Sequence, residues 1–194
     1  MVLTTPLFSQ TAASKEKVKP NLEVFYSLVD SAANAAGSYI PNEKNIAINF
    51  DFGNTYSVFG NQIIKALTDM GKNIKFNSPG SDSAISINFV IDRAQVNYGA
   101  IYRKVLFGDY YTSRAISLGG NFVIMQPKVI MKNFTYNYID TVEVKDIREL
   151  ENPSFPFTQS QLPAEPFFSS AYEPIIAVGA AALTVILFYT VRSK

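Results

Sequence analysis

The spacing of hydrophobic positions changes several times along the chain, and the changes divide it. From Asn21 the apolar residues Leu22, Phe25, Leu28, Val29, Ala32, Ala33 and Ala36 recur at i, i+3, i+4 and i+7. That rhythm predicts a helix with one buried face, and Gly37 supplies its stop. Residues 45–50 alternate as a short strand, and 51–54 form a turn. A second helix follows, capped by Asn54 or Thr55, with Tyr56, Phe59, Ile63, Ala66, Leu67 and Met70 inward and Gly71 at its end. Residues 72–76 read as another strand. The connection between the two strands is long enough for a parallel crossover.

After a turn at Pro79-Gly80-Ser81-Asp82 the period becomes two. Ile85, Ile87, Phe89 and Ile91 alternate with Ser86, Asn88 and Val90, and Val96, Tyr98, Ala100 and Tyr102 continue the alternation. Residues 114–124 and 129–138 are two more extended runs, rich in aromatic and β-branched side chains. Gly99 and the Gly119-Gly120 pair mark bulges or bends within strands. The charged stretch 140–151 leaves strand, helix and exit segment open. The expected fold is α+β: a mixed or antiparallel sheet packed by two helices across residues 21–151.

The third change is loss of polarity. Residues 175–191 carry no charge and are nearly all apolar, a length of about 25 Å as a helix and enough for a short membrane span. Pro174 suits a helix start, Tyr172 and Tyr189 suit the headgroup regions, and Arg192 and Lys194 follow. Ala177, Ala180, Ala181 and Thr184 share one face of this helix, the small-residue pattern that lets a second transmembrane helix approach. The stretch 152–174 reads as a linker, with Pro153, Pro156, Pro163, Pro166 and Pro174 stiffening it. Its Phe155, Phe157, Phe167 and Phe168 are expected either to pack back on the domain or to bind a partner.

The positive-inside rule assigns residues 192–194 to the cytoplasm and the domain to the other side. Residues 1–20 read as a lead-in, and Met1–Gln10 resembles the tail of a secretory signal: the end of an apolar region, Pro6, then Ser9 near a cleavage site. It looks like signal peptides of the Bacteroidetes–Chlorobi bacteria, with the charged part lying upstream of Met1. The alternative is a disordered cytosolic lead-in on a tail-anchored protein.

Composition removes chemistries. Among 194 residues there is no Cys and no His. Thiolate nucleophiles, disulfides and thiolate metal sites are excluded, and with them the usual neutral-pH general base and the commonest metal ligand. Seventeen Lys+Arg against 16 Asp+Glu leave a net charge of +1, so the electrostatic signature of nucleic-acid binding is missing. Asp51-Phe52-Gly53 matches the metal-binding tripeptide of protein kinases, but no glycine-rich loop precedes it and no His is available for a catalytic loop. Asn133-Phe134-Thr135 fits a glycosylation pattern inside an expected strand, which discounts it. Tyr102, Arg103, Tyr110, Tyr111 and Arg114 form a basic-aromatic series that would suit a glycan, or equally a solvated sheet face. A hydrolase using carboxylates alone would need two acidic groups converging, and the sequence pairs none. No catalytic, cofactor or metal residue is assigned.

The order from residue 45 to 76, with its Ile46–Phe50 strand and its Phe59–Gly71 helix ahead of antiparallel strands, resembles the periplasmic α/β domain of bacterial envelope lipoproteins of the FlgO, CsgG and TolB N-terminal type. The resemblance covers residues 21–140. It implies an assembly or scaffolding part of an envelope machine, with no enzymatic site to transfer. This chain departs from those lipoproteins in having no lipobox Cys and in carrying a C-terminal helix instead. The expectation is a non-enzymatic, single-pass protein of a bacterial inner membrane with a periplasmic domain and a cytoplasmic C-terminus. Its partners are expected to be other membrane or envelope subunits, with a glycan or peptidoglycan ligand as the alternative.

Overall fold

The computed structural model describes residues 18–42, 45–75, 85–105, 108–164 and 172–192. The signal-like segment, the turn at 79–82 and the pair Phe167 and Phe168 lie outside them. Helix α1 spans Asn21–Gly37 and α2 spans Val58–Asp69. Strands β1 (Asn45–Asp51), β2 (Asn73–Lys75), β3 (Ile85–Tyr98), β4 (Tyr102–Arg103), β5 (Tyr110–Met125) and β6 (Val129–Glu143) form one mixed sheet.

The expected parallel unit is present: β1 lies between β2 and β3 and is parallel to both. From β3 onward the sheet is antiparallel, with β5 against β3 and β6 against β5. The short β4 continues the β3 side of β5, pairing Tyr102 with Tyr111 and Arg103 with Tyr110. The fold class is therefore α+β, a mixed sheet covered by two helices.

Both helices lie on one face of the sheet. Phe25, Val29 and Ala33 of α1 and Phe59, Ile63 and Leu67 of α2 meet Ile46, Ile87, Phe89, Ile116, Leu118, Phe122 and Ile124 in a single core. The α2 helix starts at Val58, later than a cap at Asn54 or Thr55 would place it, because residues 54–57 close a turn in which the Ser57 hydroxyl donates to the Asn54 carbonyl. It stops where expected. Gly71 has φ +78°, the Gly71 N–H donates to the Thr68 carbonyl and the Lys72 N–H to the Leu67 carbonyl, so the glycine closes the helix in the left-handed region.

The β3 strand runs unbroken through Tyr98, but the residues facing the helices switch from odd (Ile85, Ile87, Phe89, Ile91) to even (Ala94, Val96, Tyr98). A bulge between Ile91 and Arg93 makes the switch. Gly120 sits opposite it, and there a Cβ would stand 2.1 Å from the Val90 carbonyl oxygen. The other face of the sheet carries Gln95, Asn97, Ser113, Asn133, Thr135 and Asn137, all exposed. Alternation of apolar and small polar residues thus produces a two-layer domain with one open face.

The charged stretch left open by the sequence resolves into three pieces. The β6 strand continues to Glu143, a 3-10 turn covers Val144–Asp146, and α3 covers Ile147–Leu150, burying Ile147 and Leu150. A second 3-10 turn, Pro156–Thr158, lies within the expected linker.

Candidate functional site

Arg114 lies at the centre of a buried junction. In β5 it occupies the inward series Thr112, Arg114, Ile116, Leu118, and its side chain is fully enclosed. Its Nε and Nη2 donate to the two carboxylate oxygens of Asp140 at 2.8 and 2.5 Å, and its Nη1 donates to the Lys19 carbonyl and to Asn21 Oδ1. Asn21 Nδ2 donates to the Tyr98 hydroxyl at 3.1 Å and to the Thr158 carbonyl at 2.7 Å. Five segments far apart in sequence therefore meet: the start of α1, β3, β5, β6 and the turn at 156–158. Burial pushes the Tyr98 hydroxyl up to about 12, and Glu151 adds to the rise, whereas the hydrogen bond from Asn21 opposes it.

This geometry corrects the placement of Arg114 on a ligand face. A guanidinium with every donor group directed at Asp140, Asn21 and Lys19 is a structural cross-link, enclosed by the sheet and α1. The other four members of that series do come together. Tyr102 pairs with Tyr111 across β4 and β5, their rings 6.4 Å apart, while the Arg103 guanidinium lies 4.0 Å from the Tyr110 ring centre and the Lys104 ammonium 4.3 Å from that of Tyr111. One face of each of those two rings is covered by a cation.

The linker phenylalanines divide. Phe157 is buried, with ring centres 5.1 Å from Phe59, 5.2 Å from Phe25 and 5.5 Å from Tyr56. It fills the core between the two helices, so it is not available to a partner. Phe155 packs half-buried against it at 5.8 Å. The packed unit accordingly extends past Glu151 to Thr158, whose hydroxyl donates to the Asn152 carbonyl and accepts from the Asn152 N–H.

Beyond the linker, α4 spans Tyr172–Arg192, about 32 Å at the helical rise. Its segment Pro174–Val191 has mean hydropathy 2.2 with no residue buried, long and apolar enough to cross a membrane. Ala177, Ala180, Ala181 and Thr184 are all exposed on it, and the Thr184 hydroxyl donates to the Ala180 carbonyl, as threonines in apolar helices do.

An open cleft of about 760 Å³ lies between α3 and residues 153–162. Among its described lining residues Glu151 is the one carboxylate, and it accepts the Ser160 N–H; Lys145, also in the lining, is held above its ordinary value by Glu143, 2.7 Å away, and by Asp109. The sequence reading missed Asn21, Tyr98, Asp140 and Thr158 as a group, and Lys72, a buried lysine whose ammonium donates to the Ile40 carbonyl and Asn42. The one available signal was a polar residue at each of the inward positions 21, 114 and 140.

No protein-family model and no curated protein matches this chain. Among solved structures it is similar to a minor lipoprotein from Acinetobacter baumannii, at 14% identity and a TM-score of 0.34, over 52% of this chain and 66% of that one. It is also similar to the rare lipoprotein B from Shewanella oneidensis, at 10% identity and a TM-score of 0.34, over 77% of this chain and 98% of that one. No residue role passes from either to this chain.

Proposed function

We propose that this chain is a non-enzymatic, single-pass inner-membrane protein that presents its α+β domain to the periplasm as a structural or assembly subunit of a bacterial envelope complex. The observation that carries the reading is α4: an uncharged apolar segment, exposed throughout, on a chain whose domain already has a complete core. A segment of this kind in water costs about 25 cal/mol per Å² of apolar surface, a cost that a bilayer removes. Arg192 and Lys194 orient it with the C-terminus in the cytoplasm. The face of Ala177, Ala180, Ala181 and Thr184 is available to a second transmembrane helix, and the sequence puts Phe167 and Phe168 forward as candidates to bind a partner. The scaffolding role is what the sequence resemblance of 21–140 to FlgO, CsgG and TolB type domains implies.

Affinity purification from native membranes, followed by mass spectrometry, tests the subunit role. A reproducible set of envelope proteins supports it, and recovery of the chain alone counts against it. Alkaline carbonate extraction and protease treatment of spheroplasts test the topology: a soluble chain, or a domain protected from protease, overturns it.

The clustering of Tyr102, Arg103, Tyr110 and Tyr111 favours a second reading, a glycan- or peptidoglycan-binding module. Retention of the wild type on peptidoglycan, lost in Tyr102→Ala and Arg103→Ala, would move the assignment there.

A further inference from the structure

Among the described residues the longest uncovered backbone edge belongs to β6. Its 15 residues pair with β5 in one uninterrupted register from Val129 opposite Met125 to Glu143 opposite Tyr111. Along its other edge no strand pairs among the described residues. Sheets ordinarily guard such an edge with proline, bulges, several lysines or short length. This strand has no proline, no glycine and no register shift, and its charges before Glu143 are Lys132 and Asp140. Asp140 is already committed to Arg114. Exposed apolar side chains line the edge, with Val129, Met131 and Ile139 between 63% and 72% accessible.

The order of residues on β6 says what fits it. Reading outward from Thr135 on the open face, Asn133 mirrors Asn137 and Met131 mirrors Ile139. On the helix side Phe134 mirrors Tyr136 and Lys132 mirrors Tyr138. An antiparallel partner centred on Thr135 therefore meets hydroxyl with hydroxyl, amide with amide, apolar with apolar and, next to the axis, ring with ring, with the Lys132 ammonium falling opposite the Tyr138 ring. Self-complementarity of this kind is what a two-fold interface requires, since residue i must meet j while j meets i. The α1 helix leaves room: Ser31, whose carbonyl accepts from the Tyr136 hydroxyl, and Ser27 are small and neutral, and each turns its hydroxyl back to its own helix.

We infer that two copies of this chain pair antiparallel through β6, with the two-fold axis at Thr135, and join their sheets into one. The occupant of the edge is a second copy. The inference rests on the domain alone and holds whether or not α4 spans a membrane.

The absence of cysteine in the sequence supplies the test. Full-length chain carrying Thr135→Cys, oxidised in whole cells, is expected to shift from monomer to disulfide-linked dimer on a non-reducing denaturing gel, because opposed Cβ atoms lie within bridging distance. Asn133→Cys and Asn137→Cys are each expected to remain monomeric alone and to cross-link when co-expressed. Ser117→Cys, on the interior strand β5, is the control and stays monomeric. A monomeric Thr135→Cys overturns the inference. So does equal cross-linking of Asn133→Cys alone, which would mean another register or a dimer held by α4 only.

Discussion

Arg114 and Asp140 face each other across the β5–β6 pair in a two-point ion pair, the guanidinium fully enclosed and the carboxylate one-fifth exposed. The arginine's remaining donor group reaches back to the start of α1, so one side chain fixes the register of the last two strands and the docking of the first helix. Removal of one member leaves buried groups without partners. Arg114→Ala is expected to cost about 3–5 kcal/mol, and Asp140→Asn a similar amount, since each strands a charge or a set of acceptors. Arg114→Lys is not expected to rescue, because an ammonium lacks the planar fork that serves Asp140 and Asn21 together. Urea midpoints followed by far-UV circular dichroism measure all three.

Tyr98 gives the domain a sensitivity to strong base. In the unfolded chain its phenol ionises near 10, whereas in the fold burial holds the proton to about 12. Between those values the folded state binds more protons than the unfolded state, so stability falls as pH rises from 10 to 12 and is unaffected by this group below 10. Tyr98→Phe is expected to lose about 1 kcal/mol at neutral pH, from the hydrogen bond to Asn21, and to flatten Tyr98's share of the alkaline decline. Thermal melts of both forms across that range check the sign.

Phe157→Ala is expected to cost about 3–5 kcal/mol, the range for emptying a large aromatic site in a core. The loss should fall first on the attachment of residues 152–158. Limited proteolysis would then show early cleavage in that stretch, ahead of the strands.

Gly120→Ala places a methyl group against the Phe134 ring and against the Val90 carbonyl, and the carbonyl, being backbone, retreats only if β3 moves. A destabilisation of about 1–3 kcal/mol is expected, and because the backbone carbonyl is the nearer obstacle, shortening Phe134 in the same chain is not expected to relieve it. Denaturant titration of the single and double variants separates the two contacts.

Where local pattern decided structure, the sequence was readable. The two helices, the parallel unit and the long antiparallel strands follow from periods of 3.6 and 2 and from the Gly71 stop. Even the bulge left a trace, in the passage from odd to even apolar positions between Ile91 and Ala94. What escaped were positions where the residue type contradicts the period. Arg114 falls on the inward series of β5, but a cation there suggests a solvated face unless its partners are known, and those lie 26 and 93 positions away. Asp140, likewise inward, concealed the continuation of β6 to Glu143. Four phenylalanines in a proline-rich stretch look alike in sequence; only the space between α1 and α2 singles out Phe157.

The turn at 156–158 also determines how the domain feels a pull. A pull on α4 would load the fold first at Ser160, whose N–H is held by Glu151, and next at Thr158 and Phe157, so the bond from Asn21 to Thr158 and the seat of the ring between the helices come before any strand along the chain. Because Asn21 is the first residue of α1 and is held by Arg114, that load is shared between the opening helix and the sheet. The 3-10 turn thus places one buried aromatic ring between a pull from the C-terminal side and the end of β6.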